Sequence, residues 1–243
     1  MLITGGGSGI GAAIADHLQA AGVNLTLLGR NEERLAAKAE TLGAFYQVAD
    51  VTDREQVKTA FANAANKQGA INILINNAGI AEAVPFLQLD GEQWDRTLAV
   101  NLTGVFNCTH AAVASMLAAG AGRIVNIAST AALSGYAYVS AYCAAKHGVI
   151  GLTRALALEF ARKGITVNAV CPGYTDTEMV GNAIDKIVAV TGRDREAAMA
   201  ELLKANPQGR LIQPDEVAAT VVWLCEQESI TGQAIAVAGG EVM

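Results

Sequence analysis

The sequence is poor in charge and in side chains that bind metals. Charged residues make up only 16% of its 243 residues, hydrophobic residues make up 52%, and the formal net charge is −6. This composition excludes a disordered chain, and the lack of any basic stripe argues against nucleic acid as a partner. The three histidines, His17, His110 and His147, form no ligand pattern, so we expect no catalytic metal.

Long apolar runs, a secretion leader and paired cysteines are missing as well. No apolar run reaches the ~18 residues that a membrane span needs, and no basic segment with a cleavage site opens the chain. The four cysteines are scattered, with no Cys-x-x-Cys pair: Cys108, Cys143, Cys171 and Cys225. We therefore expect free thiols in a reducing cytoplasm and no membrane contact.

A glycine-rich loop follows the first apolar run of the chain. The run Leu2-Ile3-Thr4 leads into a loop that carries Gly5, Gly9 and Gly11, and a helical pattern follows over residues 12–21. Glycines permit a tight turn and let the backbone approach a phosphate, and the N-terminus of the next helix supplies N–H groups for it. A flexible turn is the alternative, but a strand before the loop and a helix after it favour a dinucleotide site.

The second predicted strand, residues 24–28, ends in Gly29 and Arg30. In such folds this strand ends beside the adenosine ribose, where a carboxylate would bind the ribose hydroxyls and repel a 2′-phosphate. Arg30 can instead pair with a phosphate through its planar fork, which favours NADP over NAD. The alternative is that Arg30 only begins a solvated helix.

Two further turns follow predicted strands. Residues 45–49 end at Asp50-Val51, where Asp50 either accepts a hydrogen bond from the adenine amino group or leads to Thr52 as a helix N-cap. Residues 71–75 lead into Asn76-Asn77-Ala78-Gly79. This second turn is either purely structural or in contact with the ribose of the cofactor.

Asn101 lies inside an apolar helical run that begins at Gly91. An amide in such surroundings is costly unless it is hydrogen-bonded. It is therefore either a satisfied packing amide or a site that holds a water or bends the helix.

Tyr142 and Lys146 are four residues apart, which places them on one face of a helix. A free phenol has a pKa near ~10, and a neighbouring ammonium favours the phenolate and lowers that pKa. The pair is then a proton donor and acceptor that works near neutral pH. The alternative is an ordinary pair on an amphipathic helix; Tyr136 and Tyr138 have no lysine four residues on.

Ser129 follows the fifth predicted strand, residues 123–128, and precedes Tyr142 by thirteen residues. Side chains at the carboxyl ends of parallel strands face the active crevice. Ser129 can therefore hydrogen-bond a substrate oxygen.

Taken in order and at these spacings, the motifs resemble the short-chain dehydrogenase/reductase family over essentially the whole chain. The residues that carry the resemblance are Thr4-Gly5-x-x-x-Gly9-Ile10-Gly11, Asn76-Asn77-Ala78-Gly79, Asn101, Ser129, Tyr142 with Lys146, and Pro172-Gly173. The resemblance implies an NAD(P)-dependent oxidoreductase on an α/β, doubly wound Rossmann fold, with a seven-stranded parallel sheet and helices on both faces. Members of the family are usually homotetramers.

The resemblance also implies roles for four catalytic residues. Tyr142 exchanges a proton with the substrate oxygen, which Ser129 positions. Lys146 lowers the pKa of the tyrosine and binds the nicotinamide ribose, and Asn101 holds a water in the proton relay. The hydride moves between the nicotinamide and the substrate carbon.

The turn after the sixth predicted strand cups the nicotinamide in this family. Thr175 offers a backbone contact to the carboxamide and Thr177 a hydroxyl contact, although a rigid Pro-Gly turn is the plain alternative. The full set of expected cofactor contacts comprises Gly5, Ser8, Gly9, Ile10, Gly11, Arg30, Asp50, Val51, Asn77, Ala78, Gly79, Tyr142, Lys146, Pro172, Gly173, Thr175 and Thr177.

Residues 178–209 are expected to form a substrate lid within a single domain that covers residues 1–243. Two helices are predicted there, over 179–190 and 194–205, and their apolar residues either close over a substrate or pack on the body of the protein. Four cations could meet the phosphates of a carrier such as coenzyme A or form a solvated face. They are Lys186, Arg193, Arg195 and Lys204.

The lid and residues 142–147 look similar to ketoreductases that act on β-ketoacyl and polyketide thioesters. We therefore expect reduction of a ketone with NADPH, and a small-molecule substrate that is a 3-oxoacyl thioester. One alternative is an NAD-dependent dehydrogenase that oxidises a hydroxyacyl, cyclic or aromatic secondary alcohol. The other is an inactive nucleotide-binding scaffold, against which the intact catalytic set argues.

Overall fold

The computed structural model describes residues 1–242 and contains one sheet of seven strands. In chain order the strands are β1 Leu2–Thr4, β2 Thr26–Gly29, β3 Phe45–Val48, β4 Ile73–Asn76, β5 Gly122–Ile127, β6 Ile165–Pro172 and β7 Ala234–Val237. All pairs are parallel, in the order β3-β2-β1-β4-β5-β6-β7. The connections reverse direction between β1 and β4, and at such a switch point a crevice opens at the carboxyl ends of the strands. The predicted doubly wound Rossmann fold is confirmed.

Nine α-helices connect and cover the strands within the described part of the chain. They are α1 Gly9–Ala20, α2 Glu32–Leu42, α3 Arg54–Gln68, α4 Gly91–Leu98, α5 Gly104–Ala119, α6 Ser140–Phe160, α7 Glu178–Thr191, α8 Arg195–Leu203 and α9 Pro214–Glu226. Every predicted strand and helix is present, with ends that differ from the prediction by a few residues. The cap of α3 differs too: Asp53, not Thr52, accepts hydrogen bonds from the first-turn amides.

The sheet separates two apolar cores, because successive side chains of a strand point to opposite faces. On one face, Ile3 and its neighbours pack with α1, α2 and α9. On the other face, Leu2 and its neighbours pack with α3, α5 and α6. Burial on both faces explains why the strands are continuous apolar runs and do not alternate with polar residues.

A chain of polar side chains crosses the second core. Asn76 donates to Thr109 at 3.0 Å and to Asn126 at 2.9 Å, and Asn126 donates to Thr153 at 2.9 Å. All four side chains are buried. Because these residues link β4, β5, α5 and α6, they fix the strand ends that carry the turns of the crevice.

The helical stretch Gly91–Ala119 comprises α4, a π-helical turn at Ala99–Thr103, and α5. Its 29 residues are long and apolar enough to span a membrane by length and composition alone, a test that a core helix of a globular protein also passes. In this fold, Cys108, Ala112 and Met116 of the stretch belong to the core on one face of the sheet. The expectation of no membrane contact remains a prediction.

Candidate active site

The glycine-rich loop is packed so tightly that only glycine fits at its corners. Gly5 has a φ of +65°, and a Cβ atom on Gly11 would lie 2.3 Å from the carbonyl oxygen of Gly5. Ser8 precedes α1 without using its side chain as a cap. The first amides of α1 therefore remain available, and Ser8 and Gly9 are exposed beside them. This loop fits the pyrophosphate of a dinucleotide.

The turns after β1 and β4 are bound to each other. The Thr4 hydroxyl accepts hydrogen bonds from the backbone N–H groups of Asn77 and Ala78, both at 3.0 Å. The Asn77 amide donates to the carbonyls of Thr4 and Gly5 at 3.0 and 3.2 Å. These bonds hold the predicted ribose turn against the glycine loop. This role of Thr4 was not predicted from the sequence, although its position directly before the glycine loop was the available signal.

Arg30 and Asp50 meet where β2 and β3 end. Their side chains are 3.7 Å apart, and the Arg30 side chain is 65% exposed. One Asp50 oxygen accepts hydrogen bonds from the backbone N–H and the hydroxyl of Thr52, and Val51 is buried behind it. The Arg30 fork is thus free to turn toward a phosphate, whereas Asp50 is partly occupied by its own turn.

Asn101 lies in the π-helical turn and is fully buried. Its oxygen accepts from the N–H of Ile80 at 3.1 Å, and its nitrogen donates to the carbonyls of Ile80 and Thr97, both at 2.9 Å. Two of the interpretations offered for Asn101 therefore both hold. Its amide is fully hydrogen-bonded, and the helix is distorted around it. A Cβ atom on Gly79 would lie 2.8 Å from the Asn101 oxygen, so this residue also shapes the ribose turn.

Tyr142 and Lys146 lie in the first two turns of α6, and the structure brings Ser129 to them from the end of β5. The Lys146 ammonium is buried, donates to the carbonyl of Ile127 at 2.7 Å, and lies 5.6 Å from the centre of the Tyr142 ring. The Ser129 hydroxyl is close enough to act on the Tyr142 phenol, lowering its pKa. Three of the four expected catalytic residues therefore converge on one point.

Burial changes the acidity of this pair in a way that the sequence did not predict. Burial raises the pKa of Tyr142 to about 12, and the nearby Ser129 hydroxyl offsets only part of that rise. Burial lowers the pKa of Lys146 to about 8. The net shift of the Tyr142 pKa is therefore upward, because burial dominates it. The lowering expected from the Lys146 charge stays a prediction. Near neutral pH, Tyr142 is a protonated phenol and a proton donor.

The turn after β6 faces the glycine loop. Pro172 is buried at the end of the strand, and the N–H of Gly173 donates to the carbonyl of Val237 at 3.1 Å. Thr175 is buried and its hydroxyl donates to the Gly173 carbonyl at 3.0 Å. A Cβ atom on Gly9 would lie 3.3 Å from the Thr177 methyl carbon. The two expected cofactor turns therefore meet at this point and border the same groove at the carboxyl ends of the strands.

The helices α7 and α8 occupy the segment predicted as a lid. Glu178, the first residue of α7, forms a two-point ion pair with Arg34 of α2 at 2.6 and 3.1 Å. The Lys186 ammonium donates to the carbonyl of Ala83 at 2.9 Å. The segment is therefore attached to the body of the protein at two points, one on α2 and one in the loop after β4.

The other three cations of this segment are paired within it. Lys204 and Arg193 both contact the carboxylate of Glu201, and Arg195 contacts Asp185. These pairs fit the solvated face that was the alternative to a phosphate site. Among residues 1–242, no group of three or more His, Cys, Asp or Glu side chains could hold a metal ion.

One carboxylate at the crevice escaped the sequence analysis. Glu241, in the segment after β7, accepts a hydrogen bond of 2.5 Å from the hydroxyl of Tyr136. The sequence marks Tyr136 only as a phenol with no lysine four residues on, and nothing in it predicts this contact. The only signal in the sequence was an acidic residue directly after Gly239-Gly240. It did not indicate that this residue would contact Tyr136.

Comparisons with known proteins agree with this geometry. The family model described as short chain dehydrogenase matches residues 1–188. An acetoacetyl-CoA reductase from Shinella zoogloeoides is 41% identical, with 99% of this chain and 97% of the relative covered. A D-beta-hydroxybutyrate dehydrogenase from Rhizobium meliloti is 37% identical over 98% of this chain and 96% of the relative.

A comparison with a solved structure also indicates this family. The crystal structure of a variant actinorhodin polyketide ketoreductase with NADPH superimposes with a TM-score of 0.95 at 37% identity, covering 99% of this chain and 95% of that chain. The parallel sheet, the glycine loop and the Ser129–Tyr142–Lys146 arrangement lie within a match of this extent. This chain belongs to the short-chain dehydrogenase/reductase family, the NAD(P)-binding oxidoreductases that interconvert ketones and secondary alcohols.

Proposed function

We propose that this protein reduces a 3-oxoacyl thioester to the corresponding hydroxyacyl thioester with NADPH. The observation that carries the proposal is the position of the Tyr142 phenol, which lies beside the Ser129 hydroxyl and the buried Lys146 ammonium at the carboxyl end of β5. An acid is what ketone reduction needs, because the substrate oxygen gains a proton as the carbon gains a hydride. The acetoacetyl-CoA reductase and the polyketide ketoreductase among the similar proteins support the substrate class.

The choice of NADPH rests on Arg30. Its exposed guanidinium at the end of β2 is placed to pair with a 2′-phosphate, and the nearest carboxylate, Asp50, is 3.7 Å away and partly engaged with Thr52. The first amides of α1 would bind the pyrophosphate, and Thr177 would lie on the nicotinamide side of the groove. When bound, NADPH supplies the hydride.

The chain's own residues handle the proton. Ser129 and Tyr142 would both hydrogen-bond the substrate carbonyl oxygen, which orients it and polarises it. Tyr142 then gives up its proton to the developing alkoxide. The buried Lys146 ammonium favours the resulting phenolate by its charge. Asn101 would contribute by fixing the turn at Ile80 and Gly79 beside this group.

The test is NADPH oxidation with acetoacetyl-CoA, for the wild type and for Tyr142→Phe. Removing the acid should lower kcat by roughly 10²-fold or more. Tyr46→Phe is the matched control, since Tyr46 lies on β3 away from the crevice, and it should leave the rate unchanged. Undiminished turnover by Tyr142→Phe would refute the assigned role, and no turnover of the thioester by the wild type would refute the substrate class.

A second candidate is the NAD-dependent oxidation of a hydroxy acid. The D-beta-hydroxybutyrate dehydrogenase at 37% identity favours it. Turnover of 3-hydroxybutyrate with NAD at a rate above that of the thioester with NADPH would establish it. The end of β2 weighs against it, because Arg30 lies there in place of the carboxylate that would bind the ribose hydroxyls of NAD.

We also propose a homotetramer in the cytoplasm, with residues 178–209 acting as a substrate lid in one domain. Large apolar side chains are exposed on α5, α6 and α9, as subunit contacts require: Phe106, Leu117, Leu158 and Trp223. A monomeric mass by light scattering would contradict the assembly. Hydrogen exchange in residues 178–209 that is unchanged by NADPH and substrate together would contradict the lid.

A further inference from the structure

Glu241 brings a carboxylate to the substrate half of the crevice. The segment after β7 turns back so that one Glu241 oxygen accepts the 2.5 Å hydrogen bond from Tyr136, in the loop between β5 and α6. The other oxygen lies against the turn after β6: a Cβ atom on Gly173 would be 2.6 Å from it. The carboxylate therefore touches the loops that follow two neighbouring strands, the same loops that hold Ser129 and Tyr174.

This carboxylate is incompletely paired. Its second oxygen is buried and has no hydrogen-bond partner among the described residues. No ion pair within residues 1–242 involves Glu241. A buried oxygen without a hydrogen-bond donor destabilises the folded state, so its presence here needs a functional explanation.

The carboxylate of Glu241 acts on two phenols beside the crevice. The pKa of Tyr136 is raised by burial and by its bond to Glu241. The pKa of Tyr174 is raised by burial and then by the negative charge of Glu241. Tyr174 in turn acts on Tyr142. The carboxylate, two phenols and the catalytic acid thus form one cluster at the crevice.

We propose that Glu241 is a specificity-determining residue that selects substrates by charge. It rejects free 3-oxo acids, whose carboxylate would lie close to it, and admits 3-oxoacyl groups whose acid is masked as a neutral ester or thioester. The inference rests on the proposed ketone reduction and names its substrate class more narrowly.

The physical argument is one of like charges. In a short 3-oxo acid the carboxylate is only two carbons from the ketone, so binding the ketone at Ser129 and Tyr142 fixes the carboxylate within the cluster. Two carboxylates that share a partly buried site repel each other strongly, since the screening by water is weak there. An uncharged thioester meets no such repulsion. Specificity of this kind comes from an unfavourable contact with the wrong substrate.

The test compares acetoacetate with ethyl acetoacetate, in which the carboxylate is masked as a neutral ester, with NADPH as the reductant. The ratio of kcat/KM for the ester to that for the acid should be at least about tenfold in the wild type. In Glu241→Gln, which keeps the shape and an acceptor for Tyr136, the ratio should fall by about tenfold, mainly through a lower KM for the acid. Glu226→Gln, an exposed residue at the end of α9, removes the same charge elsewhere and should leave the ratio unchanged.

Three outcomes would overturn the charge-selection role of Glu241. A folded Glu241→Gln protein with the wild-type ratio would overturn the inference while leaving the reductase proposal intact. If Glu241→Gln does not fold, a wild type that reduces the acid as well as the ester overturns it equally. If the wild type reduces neither substrate, acetoacetyl-CoA separates the two failures: turnover of the thioester overturns the inference alone, and no turnover refutes the proposed function as well.

Discussion

Replacing Lys146 by methionine should change how the stability of the protein depends on pH. The ammonium is 3% exposed, and its burial lowers its pKa from 10.5 to about 8. Between these two values the unfolded chain binds more protons at this site than the folded chain. Stability conferred by Lys146 therefore rises as the pH rises from about 8 to about 10.5.

The size of the effect follows from the shift. A one-unit difference in pKa is worth about 1.4 kcal/mol, and most of the shift is expressed by pH 9.5. The free energy of unfolding of the wild type, minus that of Lys146→Met, should therefore increase by about 2 kcal/mol between pH 7 and pH 9.5. The loss of the donor to the Ile127 carbonyl adds a constant that does not depend on pH.

Urea titrations at the two pH values provide the measurement, since the midpoint and slope give the free energy of unfolding. Lys146→Arg is the control, because a guanidinium stays charged over this range and should show no pH-dependent gain over Lys146→Met. A difference between wild type and Lys146→Met that is flat, or that falls with pH, would refute the argument from burial. Groups present in both proteins cancel in the comparison.

Two further predictions concern the cofactor groove. Arg30→Ala should weaken NADPH binding by roughly tenfold or more and leave NADH binding nearly unchanged, because a charge-assisted contact to the 2′-phosphate is lost; equal losses in a fluorescence titration would rule out that contact. Gly11→Ala should abolish binding of either cofactor or lower the melting temperature, since its Cβ would lie 2.3 Å from the Gly5 carbonyl oxygen. Gly22→Ala is the comparison without a clash, as no atom lies within 4 Å of a Cβ there, although its φ of +72° carries a strain of its own.

The sheet and the loop at its switch point could be predicted from the sequence because they depend on local signals. Apolar runs of strand length, followed by turn residues such as glycine, asparagine, aspartate or serine, mark buried parallel strands and their turns. The glycine loop before α1 and the spacing of Tyr142 and Lys146 are likewise local. These signals do not depend on contacts between residues that are distant in the sequence.

The features that were missed depend on distant contacts. The pKa of Tyr142 is set mainly by burial, which a four-residue spacing does not show. The bond between Glu241 and Tyr136 joins residues 105 positions apart. The ion pair of Arg34 with Glu178 spans 144 positions. Side chains of this kind are paired by the topology, after the strands have been placed.

The π-helical turn at Ala99–Thr103 sets a strict limit on the length of this part of the chain. An α-helix advances about 100° per residue, so one residue fewer between Leu98 and Gly104 would rotate α4 by about that angle relative to α5. The shortened helix would have a more regular hydrogen-bond ladder, yet Asn101 would point away from Ile80. A substitution at this turn changes one side chain. A deletion of one residue would turn all the side chains of α4 away from their present neighbours.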